Sequence, residues 1–452
     1  MSGYRAALVA PVGEPPIADG AVVLDGERVA WVGPAESAPG GALVDLGDCV
    51  ITPGLVNAHT HLDLTAYRGV LDGLGFFEWI RTLTGSKLTL TAEQLLDAAR
   101  AGIVEGLSRG ITTYADTANT TAAFDAMLEL GVRGIAYLEV FGPDPAVAGT
   151  KLDELAAQVS ALRPRATSRV QLGVSPHAPY SVSDALFAGV AAYAAREALP
   201  VAIHIAEGID EVTLLAEGTG PWAAFLRGRG IVVAPRGASP VAMLASAGAL
   251  SERVLLIHGV HLRPSDIAAV ARHGCGVAHC PWSNAWFDHG TAPVAAMLAR
   301  GVRVGVGSDS MGSNTRMDVL TEAADALKVQ QAAARTVEEA DAIAALDALT
   351  LATLGGARAL HMEQAIGTLS AGMAADLAAF PLPSMLSRVA RPTTRSVAEA
   401  LVASGAPASV VVVAGATVMD GGRMRVADGA LSERIASMTE QLIRWRAQRP
   451  PG

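Results

Sequence analysis

Apolar and polar positions alternate in short runs over the first fifty residues, at 7–10, 21–24, 29–32 and 42–45, with Gly and Pro turns such as Asp25-Gly26 between them. Period-two alternation bounded by turn residues reads as antiparallel sheet. A similar texture returns at 376–380, 408–414 and 417–419, followed by an Asp420-Gly-Gly turn. The two chain ends are therefore expected to pair into one small β-sandwich domain. Leu431, Ile435, Met438, Leu442 and Ile443 recur at helical spacing and predict a helix that closes the chain.

Between the ends the pattern changes. Apolar runs at 54–59, 111–116, 134–140, 170–176, 201–205, 254–258, 276–279 and 302–307 predict eight strands, and Ala/Leu-rich helical stretches such as 91–108, 122–130, 184–196 and 292–299 separate them. Alternating strand and helix argue for a parallel sheet, and eight repeats for an α/β fold of the (β/α)8 TIM-like barrel type. The expected organisation is 1–52 for the N-terminal part of the β-sandwich, 53–364 for the barrel, 365–428 for the C-terminal part of the sandwich, and 429–452 for the closing helix.

Composition narrows the function classes. A length of 452 residues, 51% apolar and 17% charged, suits a large buried domain with a smaller companion. No run of 18 or more apolar residues is present to span a membrane, so a cytoplasmic enzyme is the default expectation. Three cysteines, Cys49, Cys275 and Cys280, make no disulfide framework and lack C-x-x-C spacing. The net charge of −10 argues against a nucleic-acid partner and leaves a small molecule, with a homodimer as the default assembly. The Glu338-Glu339 and Glu433-Arg434 pairs read as solvated charge.

In barrels of this kind the chemistry sits at the C-terminal strand ends. Here those ends carry His59 and His61, Asp116, Glu139, His177, His204 with Glu207, His258, Asn284 and Asp309. His59 and His61, one residue apart, project from one strand face, and with His204 and Asp309 they suit one divalent metal ion, Zn²⁺ before Fe²⁺ or Mn²⁺. A water in the open position would fall in pKa from about 15.7 towards about 7. Glu207, three residues after His204, is assigned the proton shuttle, Asp309 accepts the water's proton, and His258 stabilises developing charge. His258 ends an apolar run and is preferred to His261 for that role. His273 and His361 read as helix-end or surface groups. Asp116 either acts in the site or caps the following loop, and Asn284 either meets substrate or fixes the turn after Cys280-Pro281.

Taken together, 53–61 (PGLVNAHTH), 175–180 (SPHAPY), 204–207 (HIAE), 257–259 (IHG), 280–284 (CPWSN), 305–310 (GVGSDS) and the ending at 367–377 resemble the amidohydrolase superfamily, over essentially the whole chain. Within it the chain is most similar to the cytosine-deaminase-like, triazine-hydrolase-like and adenosine-type deaminases. The resemblance implies a mononuclear metal site. Lysine occurs only at Lys87, Lys151 and Lys328, so the bridging carboxylated Lys of binuclear members has no counterpart on the fourth strand.

Segments 68–80, 138–141, 207–211, 220–222 and 286–289 look like aminodeoxyfutalosine deaminases. The stretch after the first strand departs from the W-P-x-E arrangement of methylthioadenosine and S-adenosylhomocysteine deaminases. The implied reaction is hydrolytic deamination of an aminopurine nucleoside, 6-amino-6-deoxyfutalosine first. Alternatives are adenosine-type nucleosides, another leaving group on a triazine, pterin, guanine or cyclic urea, and a non-catalytic binding relative. His177, Glu139 and His289 are expected to bond sugar hydroxyls. Trp79 and Trp282, with Phe76, Phe77, Phe141, Tyr180, Trp286 and Phe287, either stack on the heterocycle or pack a lid.

Overall fold

The computed structural model describes residues 2–336, 342–387, 389, 391–425 and 429–449. The Glu338-Glu339 pair, and residues 426–428 at the end of the C-terminal β segment, lie outside the described residues. Eight parallel strands follow one another at Leu55–His61, Ile111–Ala118, Arg133–Val140, Val170–Pro176, Val201–Ile205, Val254–His258, Gly276–His279 and Arg303–Val306, each hydrogen-bonded to the next. The eighth continues through Gly307 and Ser308 into a short piece, Asp309–Ser310, that pairs with the first strand, Asp309 opposite Thr60 and Ser310 opposite His61. This brings the last strand of the barrel against the first.

Glycine makes that closure possible. A Cβ on Gly307 would stand 2.7–2.8 Å from backbone and Cβ atoms of His59, and one on Gly305 would meet Gly356 Cα at 2.6 Å. Gly307 thus admits the first strand, and Gly305 the helix Leu354–Ala359 that packs on the eighth.

Alternation along the strands divides the core. Val254 and Leu256 face the large cluster under the helices, while Leu255 and Ile257 join Val56, Ala58, Ala115, Ile135 and Ala202 in a second cluster. Small and branched residues fill the inner layer, as a packed barrel requires.

Both chain ends enter one mixed sheet of nine strands, and Leu377–Pro381 runs antiparallel to Cys49–Pro53 at the junction. One apolar cluster draws on Ala6, Val22, Leu24 and Ile51 from one end and Leu377, Ala379 and Val412 from the other. Two details differ from the sequence reading. Ala42–Asp45 and Cys49–Pro53 pair parallel, not antiparallel, with Ser2–Val9, because the chain crosses over after its first hairpins. The C-terminal part also holds a helix, Thr394–Ser404, whose Val397, Ala398 and Leu401 are buried.

The closing helix, Leu431–Ala447, is a working part of the barrel rim. Arg434 donates to both carboxylate oxygens of buried Asp97 (2.6 and 3.0 Å), so it is tied down where the sequence suggested a solvated charge. Thr439 bonds the Ala66 carbonyl, and Arg446 bonds those of Val70 and Asp72. Met438 and Leu442 pack on Tyr67, Leu71 and Trp79. The helix thereby fastens the segment after the first strand and the rim helix that follows it, Phe76–Lys87.

Candidate metal and active site

His59, His61, His204 and Asp309 converge where the first, fifth and eighth strands end. Nε2 of His59 and of His61 lie 3.5 and 3.6 Å from Asp309 Oδ1, and the His204 ring centroid is 4.9 Å from that of His59. Two ligands about 2.0–2.1 Å from a tetrahedral ion stand roughly 3.4 Å apart, so these separations fit one divalent cation. His59 is completely buried with neither ring nitrogen hydrogen-bonded, an expensive arrangement unless an ion takes one of them.

Neighbouring carbonyls orient the ligands. His61 Nδ1 stands 2.6 Å from the Thr117 carbonyl and His204 Nδ1 3.2 Å from that of His177. Each carbonyl needs an N–H, which leaves the Nε2 lone pairs free for a metal. Burial lowers His59 to about 4 and His204 well below the ordinary imidazole range, so both are neutral ligands at pH 7. Burial works to raise Asp309, but the facing imidazoles of His59, with Nε2 at 3.5 Å, His258 and His61 outweigh it and hold the carboxylate well below its usual range.

Beside this set stand Glu207 and His258. His258 Nε2 is 3.5 Å from Glu207 Oε1 and 3.9 Å from Asp309 Oδ2, and its Nδ1 is 3.0 Å from Asn284 Oδ1. Strict alternation would send His258 outward with Leu256. Its backbone turns left-handed instead, at φ 71°, and Ala206 (49°) and Asp309 (56°) do the same at their strand ends. Such conformations cost about 1–3 kcal/mol each in a non-glycine residue, and they concentrate where side chains must be re-aimed. Burial, with Asp309 and Glu211 nearby, pushes the Glu207 carboxyl well above its usual range.

Glu139, His177 and His204 form a second group with donor atoms within 4.8 Å of one another. Glu139 Oε1 is buried without a partner, and His177 Nδ1 meets Ser181 Oγ at 2.7 Å. His289 lies 3.7 Å from Glu207, and Phe76 stands between it and Tyr180, which neighbours His177. Asp116 accepts from the Leu62 amide at 2.6 Å and so pins the segment after the first strand.

Three residues expected at the substrate make contacts within the protein. Trp79 is turned into the cluster under the closing helix, its indole N–H satisfied by the Gly312 carbonyl at 3.0 Å. Trp282 lies beneath the Arg316 guanidinium, 4.4 Å from the ring centroid. Asn284 stands behind His258 and orients it. Of the expected aromatic cluster, Phe76, Phe77 and Phe287 do line a cavity of about 410 Å³ beyond Glu207, together with Trp222.

Other residues of the site escaped the sequence reading. Glu211 is buried and accepts from the amides of Ala206 (2.8 Å) and Glu207 (3.2 Å), which fixes the loop carrying Glu207. Its position one helical turn beyond Glu207 was the available signal. Glu322 accepts from Asn314 and the Trp282 amide, and Asn314 donates to the Ser308 carbonyl. His279 ends the seventh strand as His258 ends the sixth, and burial lowers it to about 3.

A closed parallel barrel with imidazoles and carboxylates gathered at its C-terminal mouth is the architecture of a metal-dependent hydrolase. The chain belongs to the amidohydrolase family, which matches residues 50–418, and is an aminohydrolase acting on C–N bonds. It is 32% identical over 441 residues to a 5-methylthioadenosine/S-adenosylhomocysteine deaminase of Moorella thermoacetica, covering 96% of this chain and 97% of that protein. The corresponding protein of Nitratidesulfovibrio vulgaris is 35% identical over 378 residues, 81% and 80% of the two chains. Among solved structures, a zinc-bound adenosine deaminase from Xanthomonas campestris superposes with a TM-score of 0.82 at 25% identity, over 98% of both chains. A zinc complex of atrazine chlorohydrolase from Arthrobacter aurescens gives 0.81 at 25%, over 98% and 100%. In Helicobacter pylori aminofutalosine deaminase (0.80, 19%, 93% and 100%) the likeness is one of fold.

Proposed function

We propose that this aminohydrolase deaminates adenine nucleosides, water replacing the exocyclic amino group, which leaves as ammonia. The observation that carries this reading is the placement of buried Glu207, 3.5 Å from His258, at the rim of the His59, His61, His204 and Asp309 set. Those four residues would hold a single divalent ion, Zn²⁺ being the first choice for three imidazoles and a carboxylate. Such an ion, when bound, acidifies water at neutral pH.

The remaining chemistry belongs to the chain. Glu207 delivers its proton to the ring nitrogen beside the attacked carbon, and Asp309, held anionic by its imidazoles, accepts the proton that the attacking water loses. His258, within 4 Å of both carboxyl groups, stabilises the charge that develops between them. Glu139 and His177 offer an unpaired carboxylate oxygen and an imidazole to the sugar hydroxyls.

Within the class, the sequence reading favours 6-amino-6-deoxyfutalosine, and the names of the similar relatives favour 5′-thioadenosine nucleosides. The test is ammonia release from a panel of aminopurine nucleosides containing both, with metal content measured on the same sample. Turnover by fully metal-loaded protein supports the reading. No ammonia from any member at full metal occupancy overturns it.

A further inference from the structure

The cavity of about 410 Å³ opens beyond Glu207 and is walled by the rim helix (Phe76, Phe77, Glu78), the segment after Glu207 (Asp210, Glu211), Trp222, and the Phe287-Asp288-His289 turn. Its lining contains four aromatic residues and four carboxyl groups, and no Lys or Arg. Glu211 is committed to two backbone amides, and Glu78 meets Arg81 at 3.2 Å, although Arg81 itself does not line the cavity. Asp210 and Asp288 are paired with no Lys or Arg among the described residues. His289, its side chain only 8% exposed, has an Nε2 that is hydrogen-bonded to nothing and lies between the cavity and Glu207. Space, aromatic faces and unneutralised carboxylates together describe a receptor for an organic cation. An anionic group beside Asp210 and Asp288 would instead face like charges.

We propose that this chamber receives the part of the substrate beyond the reacting ring, and that this extension carries an ammonium or similar cation rather than a carboxylate. The assignment rests on the deaminase reading above and narrows it. The ring faces Glu207 and the ligand set, the extension lies between Phe76, Phe287 and Trp222, and its charge meets Asp210 and Asp288. A nucleoside whose extension ends in a benzoate, such as 6-amino-6-deoxyfutalosine, is a poor match.

The test compares three adenine nucleosides that share ring and sugar but carry a 5′-methylthio, a 5′-(3-aminopropyl)thio or a 5′-(2-carboxyethyl)thio group. The metal-loaded enzyme should favour the cationic over the anionic compound by on the order of tenfold or more in kcat/KM. The Asp210→Asn/Asp288→Asn double variant should bring that ratio towards one. Equal use of the two, a reversed preference, or a preference that survives in the double variant overturns the proposal. Calorimetric binding of phenethylammonium against phenylacetate decides the same question without turnover, so failure of the deaminase reading is told apart from failure of this one. Tighter ammonium binding that the double variant loses supports the cation receptor, and equal or reversed binding rejects it.

Discussion

Asn57 and Ser308, 251 residues apart, exchange two buried hydrogen bonds: Asn57 Nδ2 donates to Ser308 Oγ at 2.8 Å, and the Ser308 amide donates to Asn57 Oδ1 at 3.0 Å. One residue lies two positions before His59 and the other one position before Asp309. Their pairing sets the register of the first and last barrel strands, and with it the spacing of the metal ligands. Asn57→Ala would leave the buried Ser308 amide without its acceptor, costing about 1–3 kcal/mol. The variant is expected to melt several degrees lower and to retain less metal. Elemental analysis and a thermal scan check both, and wild-type values in each would show that the pair does not set the site.

Glu207→Gln keeps a hydrogen-bonding side chain of the same size but has no proton to give. Turnover should fall by about 10²–10⁴-fold, the usual worth of a positioned acid, with metal content unchanged. Steady-state kinetics on metal-loaded protein provide the measurement, and a near-normal rate would remove Glu207 from the mechanism.

His204→Ala deletes one imidazole of the ligand set, and the purified variant should contain little bound metal. Full occupancy would mean that other residues hold the ion.

Chelation offers a complementary experiment on the unmodified chain. Protein stripped of metal should lose activity and melt at a lower temperature, since a ligand that binds only the folded state stabilises it by mass action. Added Zn²⁺ should restore both, and activity that persists without metal would exclude metal-dependent hydrolysis.

Glu211 links stability to pH. Burial raises its carboxyl to about 8, above the ordinary glutamate value of 4.5 that the unfolded chain shows. Between these values the folded chain holds a proton that the unfolded chain has released. The contribution is therefore complete below about pH 4.5 and is lost as pH rises through 8. Metal-free wild type should lose melting temperature between pH 6 and 9, and Glu211→Gln should lose less over the same range. Equal slopes would show that Glu211 does not titrate there. In metal-loaded protein Glu211→Ala should also lower kcat without releasing metal, because the Ala206 and Glu207 amides lose their acceptor.

The eight barrel strands were legible because each is a short apolar run that ends in a polar group, and the burial that makes the run apolar also places its end at the mouth. What pairing and packing decide was not legible. Alternation marks two faces of Ala42–Asp45 but does not say that its neighbour runs parallel. The sequence left Trp79 either stacking on the heterocycle or packing a lid, and the closing helix and the Gly312 carbonyl determine that its ring turns inward. His258 was found from its place at a strand end, while the left-handed backbone that aims it at Glu207 has no sequence signature in a non-glycine residue. Glu211 and Glu322 look like ordinary helix glutamates until the fold buries them against backbone amides.

The joining of the last barrel strand to the first also has a consequence for biosynthesis. As the chain leaves the ribosome, His59 and His61 emerge early and His204 well after them, but the carboxylate that completes the set lies on the final strand. Until Asp309–Ser310 seats beside Thr60 and His61, the early imidazoles have no fixed geometry in which to hold an ion. On the proposed ligand set, metal capture would be an event of the finished barrel, and a chain stalled before its eighth strand would carry the three histidines of the set without their carboxylate.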